Sequence, residues 1–176
     1  AAVAAIGVAG RIEMFAFMIP MTVGVSLVPF VAQNYGAQRL DRVRTARKGT
    51  IIFALAFGLA VSGIFMVIIR PLAGLFSGDP EVIDVLVKYI YITCLGYGFM
   101  EVNRYCGFFM IGIHKPASSA ILNAIRVIVL LIPLTLLGSK LLGLSGIFGG
   151  RLITDVVSGG FGIIWTGRII GRHLAR

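Results

Sequence analysis

Long apolar stretches alternate with short polar connections along the whole chain. Five such stretches stand out, and they cover residues 3–34, 49–69, 82–113, 117–138 and 144–169. Each is long enough to cross a bilayer as an α-helix, which needs roughly 20 apolar residues. The strands of a membrane barrel would instead alternate apolar and polar positions over about ten residues. The pattern therefore predicts an all-α, polytopic membrane bundle of five transmembrane helices.

The connections carry the signals of turns and helix ends. Gly78, Asp79 and Pro80 mark one turn, and the segments GAQRLDRVRTARK, HKP and SKLLG separate the other apolar stretches. Pro20 and Pro133 lie inside apolar stretches, and each lacks the N–H that would complete a helical hydrogen bond. We therefore expect a kink in the helix at both prolines.

Composition agrees with a membrane protein. Of the 176 residues, 58% are hydrophobic and 13% are charged, and the mean hydropathy is +0.98. The net charge of +9 would suggest a nucleic-acid partner for a soluble domain, but the basic residues sit in short clusters between apolar stretches. We therefore expect the lipid bilayer as the surrounding partner, and no nucleic acid.

The basic residues also predict which side of the membrane each connection occupies. Nine of the Lys and Arg residues fall on one side, five of them between residues 39 and 48, against three on the other side. The positive-inside rule places the richer side in the cytoplasm. We expect a multi-pass protein of the cell membrane that starts outside, ends with a cytoplasmic C terminus and is part of a longer chain.

Cysteine and histidine give no chemical site. Cys94 and Cys106 lie on one predicted helix, about 18 Å apart along its axis, which is too far for a disulfide. His114 and His173 do not have the spacing of metal ligands. The sequence shows no catalytic set, so we expect no enzyme activity, no metal site and no cofactor other than a transported ion.

Seven ionisable residues lie inside the predicted spans, although a charge at the bilayer centre costs about 2.5–3.5 kcal/mol on insertion scales. They are Arg11, Glu13, Glu101, Arg104, Arg126, Arg151 and Asp155. Arg11 and Glu13 are two positions apart, so they point about 200° from each other and need partners on other helices. Arg151 and Asp155 are four apart, and we expect them to pair along their own helix.

Three segments carry a series of motifs in a fixed order. RIEMFAFMIPMTVGVSLVPFVAQNYGAQRLDRVR contains an Arg-x-Glu pair, a mid-helix proline and VAQNYGA before basic residues. LNAIRVIVLLIPLTLL places an arginine ahead of Ile-Pro-Leu, and GLSGIFGGRLITDVVS has a Gly-rich start and a Thr-Asp pair. This series resembles the multidrug and toxic compound extrusion (MATE) family. The resemblance implies that residues 1–176 form a partial C-terminal bundle, helices eight to twelve of a twelve-helix fold.

The resemblance also implies a function. Members of the family export organic cations or amphiphilic compounds in exchange for sodium or protons, so the expected partners are a small-molecule organic substrate and the missing N-terminal bundle of the same protein. A sister family implies an alternative, a flippase for lipid-linked sugars. A further alternative is a structural subunit of a membrane complex, in which the buried charges only seat partner helices.

Glu101 is the first candidate for ion coupling. It lies near the middle of its span, where the resemblance places an acid in sodium-coupled members. A carboxylate there can bind a hard cation through oxygen or take up a proton. The alternative is a lasting ion pair with Arg104, three residues on, or with Arg126, at similar depth. Asn103 would add an oxygen to the cation site or hydrogen-bond across helices.

Tyr97 and Glu13 complete the candidate residues as parts of a substrate cavity. Tyr97 and Tyr105 each lie one helical turn from Glu101. Aromatic rings at this place would either bind a lipophilic cation by a cation–π contact or pack in the core. The sequence leaves both interpretations open.

Overall fold

The computed structural model of the chain describes residues 2–172. Within that range the chain is helical apart from short connections. The elements are α1 (Ala2–Ala16), α2 (Met18–Gly36), α3 (Leu40–Phe76), α4 (Pro80–Thr93), a 3₁₀ turn (Cys94–Gly96), α5 (Tyr97–Gly112), α6 (Pro116–Ala124), a π-helical segment (Ile125–Leu131), α7 (Ile132–Leu142) and α8 (Leu144–Arg172).

Four helical runs are long and apolar enough to cross a membrane. They are Leu40–Phe76, Pro80–Gly112, Pro116–Leu142 and Leu144–Gly171. The helices α1 and α2 pass the same test together, although they are bent by 56°. The prediction of five spans is confirmed when this bent pair counts as one. The predicted cytoplasmic C terminus rests partly on residues 173–176, which lie outside the described residues.

The first span breaks at Phe17 and not at Pro20, where we expected the kink. The helix resumes at Met18, which puts Pro20 in the first turn of α2. A proline is tolerated in a first turn because the N–H at that place has no helical partner. The carbonyl of Pro20 instead accepts a 2.9 Å hydrogen bond from the Tyr105 hydroxyl.

The third span is interrupted, although the pattern predicted one continuous helix over residues 82–113. A 3₁₀ turn separates α4 from α5. The Ser62 hydroxyl of α3 lies 2.5 Å from the Cys94 carbonyl of this turn. Just beyond the turn, a Cβ on Gly58 would overlap the backbone of Gly98. The interruption therefore lies beside a close backbone approach of α3 and α5, a tertiary feature that no local pattern signals.

Two predicted connections are largely helical. The basic segment after the first span belongs to α3 from Leu40 onwards, and α3 continues past Pro71 to Phe76. The segment SKLLG likewise belongs to α7 as far as Leu142, and the chain turns at Gly143 with a φ of 59°. Apolar side chains at helical spacing extend these helices beyond the continuous apolar runs, so the true connections are shorter than predicted.

The fourth span contains the π-helical segment directly before Pro133. Proline supplies no N–H to the carbonyl four residues earlier, so the ordinary helical ladder is incomplete there. The expected kink at Pro133 is therefore expressed as a local change of helical spacing. Only 6% of the most apolar window of this span is buried in the structure.

The core has two clusters, and α3 contributes to both. One contains Phe65, Ile69 and Ile90 together with residues of α1 and the start of α8. The other contains Val31, Phe109 and residues of α2, α5 and the end of α8. Helix α5 lies at the centre of the bundle, in contact with α2, α3, α6 and α8. Polar side chains on α5 are therefore held away from the outer surface.

Ser62→Ala tests the link between α3 and the 3₁₀ turn. The variant removes a hydroxyl that lies 2.7 Å from the Gly58 carbonyl and 2.5 Å from the Cys94 carbonyl. We expect the free energy of unfolding to fall by about 1 kcal/mol, measured by thermal unfolding in detergent. Ser26→Ala is the control, because its exposed hydroxyl donates within its own helix, to the Val23 carbonyl. Equal losses in both variants would contradict the role of Ser62.

Candidate functional site

Helix α5 holds Glu101 at the centre of the bundle, where its side chain is 0% exposed. The Arg104 Nη1 atom lies 2.9 Å from Glu101 Oε1, one turn along the same helix. Apart from this ion pair, neither carboxylate oxygen has a hydrogen-bond donor within the residues that the structure describes. Of the two ion pairs that the sequence left open, the structure contains the one with Arg104, and the carboxylate keeps free acceptor capacity.

Asn103 lies on a different side of α5. It is two residues from Glu101 and so points about 200° away around the helix. Its side chain is buried, and its Oδ1 atom has no hydrogen-bond partner among the described residues. The two predicted cation ligands, Glu101 and Asn103, therefore lie on different sides of α5. Side chains meet along a helix when they are three or four positions apart, and these are two apart.

Arg126 does not pair with Glu101, as one alternative had it, but with Asp155. The Arg126 Nη2 atom of the π-helical segment lies 2.6 Å from Asp155 Oδ1 of α8. The expected pair of Arg151 with Asp155 exists only at 4.0 Å. Arg151 instead reaches across to Glu13, 3.0 Å away. The tight ion pairs on α8 therefore join different helices.

Glu13 accepts hydrogen bonds from three donors on other helices. This agrees with the expectation that Glu13 cannot pair with Arg11, two positions earlier, and needs partners elsewhere. The hydroxyls of Tyr89 and Tyr97 donate to Oε1 at 3.0 and 2.9 Å. Arg151 donates to Oε2 at 3.0 Å and stacks its guanidinium 5.3 Å from the Tyr89 ring centre. Glu13 therefore joins α1 to α4, α5 and α8.

The two tyrosines beside Glu101 on α5 pack in the core. Tyr97 is 0% exposed, and its ring lies edge-on to Phe17 with ring centres 4.9 Å apart. Tyr105 is also 0% exposed and bonds to Pro20. Tyr97 therefore supports the site through its hydrogen bond to Glu13, and it is not among the residues that line the clefts described next.

Two clefts flank α5, and Met100 and Arg104 line both of them. The first, here called the methionine cleft, has a volume of about 460 Å³ and is lined among others by Glu13, Met14, Met18, Met21, Arg104 and Arg151. The second, here called the polar cleft, has a volume of about 350 Å³ and is lined among others by Asn103, Arg104, Ser119, Asn123 and Arg126. Arg104 therefore stands between the buried carboxylate and both clefts.

The remaining candidate ligands form no metal centre. Among residues 2–172, no three His, Cys, Asp or Glu side chains are grouped to hold a metal ion. His114 is exposed in the turn between α5 and α6, and His173 lies outside the described residues. Sequence reasoning missed Tyr89, whose partner is 76 positions away. It also counted Arg47 only as a basic residue of a connection, whereas Arg47 donates to Thr166 at 3.1 Å.

Comparison with known proteins gives one consistent family. The sequence profile of the MatE family matches residues 1–137. The chain is 34% identical over 158 residues to the FAD transporter of Shewanella oneidensis, covering 90% of this chain and 35% of that protein. It is 30% identical over 90 residues to the probable multidrug resistance protein NorM of Halalkalibacterium halodurans, covering 51% and 20% respectively.

Solved structures show the same fold. The bent form of the Vibrio cholerae MATE transporter VcmN superposes with a TM-score of 0.93 at 23% identity, covering 97% of this chain and 39% of that one. The chain therefore spans about a third of the length of the FAD transporter (35%) and somewhat more of VcmN (39%).

Proposed function

Because the chain belongs to the MatE family of multi-pass membrane transporters, we propose that it forms part of a cation-coupled antiporter that exports amphiphilic organic compounds. Sodium or a proton is the proposed coupling ion, and the cell membrane the proposed location. Membership of a transporter family argues against a purely structural subunit. The flippase for lipid-linked sugars stays an untested alternative.

The observation that carries the proposal is the Glu101–Arg104 pair. Glu101 is a buried carboxylate, and its one ion pair among the described residues, at 2.9 Å, is with an arginine that lines both clefts. A sodium ion or a proton at Glu101 would replace that contact, since either one neutralises the carboxylate. Arg104 would then be free to move within the clefts. Ion binding and the shape of the cargo clefts are therefore linked through one side chain.

The relatives suggest two kinds of cargo. One relative is a probable multidrug resistance protein, and this favours chemically varied amphiphilic compounds. The more similar one, at 34% identity over 90% of the chain, is an FAD transporter. A flavin nucleotide is therefore a second candidate cargo class for this chain. Both kinds combine a large apolar or aromatic part with a charged part.

Glu101→Gln and Glu101→Ala test the coupling role. Both remove the ionisable carboxylate, so we expect export driven by a sodium or proton gradient to fall at least about tenfold. The measurement is cargo flux in proteoliposomes that contain the full-length native protein. The control is Glu81→Gln, because Glu81 is an exposed acid in the first turn of α4. Unchanged gradient-driven export in both Glu101 variants would contradict the proposal.

A further inference from the structure

The three tight ion pairs inside the described part of the bundle, each 3.0 Å or shorter, share one arrangement: the acid side chain is less exposed than the basic one. The acids are Glu13, Glu101 and Asp155, and their partners in the same order are Arg151, Arg104 and Arg126. The acid side chains are 12%, 0% and 1% exposed, whereas those of the arginines are 26%, 31% and 21% exposed. All three arginines line the methionine cleft or the polar cleft. A compound in the polar cleft therefore meets guanidinium groups in front of carboxylates, and in the methionine cleft it meets Arg104 and Arg151 beside Glu13.

Glu13 is the one acid among the residues that line the two clefts, and its oxygens are already engaged. Oε1 accepts from both Tyr89 and Tyr97, and Oε2 accepts from Arg151. A carboxylate with these donors has little capacity left for a cationic guest. The acidic charge of the methionine cleft is therefore largely unavailable to cargo.

The arginines, by contrast, keep donors to spare. A guanidinium carries five N–H donors and no acceptor. Arg104 contacts Glu101 through Nη1, and its further described contact is the Met21 sulfur at 3.9 Å. Arg126 contacts Asp155 through Nη2, which leaves its other terminal N–H groups for a further acceptor. Both arginines can bind another acceptor without releasing their acids.

We infer that the two clefts bind an amphiphilic organic anion, with a phosphate or carboxylate on the arginines and an apolar body on the methionines. This inference rests on the proposed transport function and names the chemical class of its cargo. The planar guanidinium fork matches the oxygens of both anionic groups. Methionine side chains are flexible and polarisable, so they fit apolar bodies of varied shape. Met14, Met18, Met21 and Met100 all line the methionine cleft.

The charge arrangement disfavours organic cations. A cation in the polar cleft would meet two guanidinium groups and no lining carboxylate. In the methionine cleft the one lining carboxylate, Glu13, is already held by three donors. The polar cleft has Arg104 and Arg126 in its wall, beside the neutral polar side chains of Asn103, Ser119 and Asn123. Like charges in a site of low dielectric repel strongly. The same geometry that accommodates an anion therefore selects against a cation.

The first experiment compares three fluorescent probes on the full-length native protein in detergent. Riboflavin 5′-phosphate is an anion, riboflavin is its neutral counterpart with the same ring system, and rhodamine 6G is an amphiphilic cation. We expect the dissociation constant of riboflavin 5′-phosphate to be at least about tenfold lower than those of riboflavin and rhodamine 6G, the size of one charge-assisted hydrogen bond. Equal or tighter binding of rhodamine 6G would overturn the inference.

The second experiment removes one cleft charge pair and compares it with an exposed pair. Glu13→Gln combined with Arg151→Gln leaves no unpaired charge. We expect this double variant to raise the dissociation constant of riboflavin 5′-phosphate about tenfold and that of riboflavin less than twofold. The control is Arg70→Gln with Asp84→Asn, whose side chains are 71% and 65% exposed. Equal effects of the two double variants on the anion would overturn the inference. If the cleft variant does not fold, Arg104→Lys is used instead, because it keeps the positive charge but loses the planar guanidinium group. We then expect the dissociation constant of riboflavin 5′-phosphate to rise at least about threefold.

Transport by the same preparation separates this inference from the proposed function. If an ion gradient drives the export of rhodamine 6G but not of riboflavin 5′-phosphate, the proposed antiporter is supported and the inferred anionic cargo is contradicted. If riboflavin 5′-phosphate binds as expected but no sodium or proton gradient drives its export, the anion site is supported and the proposed ion-coupled transport is contradicted. Gradient-driven export of riboflavin 5′-phosphate in preference to the other two probes supports both.

Discussion

Gly146→Ala is expected to lower the free energy of unfolding by about 3 kcal/mol or more, the upper part of the range for overpacking a tight interface. A Cβ on Gly146 of α8 would overlap the carbonyl of Gly138 on α7, and a Cβ on Gly138 would overlap Gly146 in return. Backbone carbonyls cannot turn aside as a flexible side chain can. The two helices would have to separate, and the small-residue contact that joins them in the membrane would be lost.

Gly149→Ala is the matched control for this prediction. Gly149 lies on the same helix, three residues further on, and a Cβ there would meet nothing within 4 Å. Alanine favours a helix over glycine by about 1 kcal/mol, so we expect this variant to be as stable as the original or slightly more stable. Thermal unfolding of the purified full-length protein in detergent gives both values. Equal stability of the two variants would show that α7 and α8 are not in backbone contact.

Arg126→Ala is expected to cost about 3–5 kcal/mol, the effect of leaving one partner of a buried ion pair alone. Asp155 is 1% exposed, and without Arg126 its nearest base is Arg151, 4.0 Å away. The combination of Arg126→Gln with Asp155→Asn should recover most of the loss, because no uncompensated charge is left. The measurement is the midpoint of thermal unfolding in detergent for the single and the combined variants.

Arg70→Ala provides the comparison for this second prediction. It removes the partner of Asp84 from an ion pair on the outside, where the two side chains are 71% and 65% exposed. Exposed pairs contribute about 0–1 kcal/mol, so the expected change is small. An Arg126→Ala protein as stable as the Arg70→Ala protein would mean that Asp155 is neutral or reached by water, which would remove the basis of the prediction.

The sequence predicted the spans well and their interruptions poorly. A continuous apolar run indicates a segment that lies in lipid or in the protein core, and this was enough to place the five spans. The bend at Phe17 depends on how Pro20 is accommodated in a new first turn, and the 3₁₀ turn at Cys94 depends on Ser62 of another helix. Such breaks are decided by contacts between helices, so local periodicity carries little information about them.

Charge pairing shows the same division between local and distant information. The Glu101–Arg104 pair could be predicted because the residues are three apart on one helix. The same rule favoured a pair between Arg151 and Asp155, but competing partners 138 and 29 positions away hold these two side chains more tightly. Spacing identifies residues that are able to pair along a helix. It cannot rank them against partners that arrive only when the helices pack.

The bend at Phe17 places the start of α2 beside the methionine cleft. Phe17 and Met18 line the methionine cleft, at the pivot where α1 and α2 meet at 56°. Helix α2 runs 19 residues from there to Gly36. At about 1.5 Å per residue it is about 28 Å long, so a rotation of about 10° at the pivot displaces its far end by about 5 Å. A rotation of that size would move the end of α2 by nearly one helical turn, beside the basic start of α3.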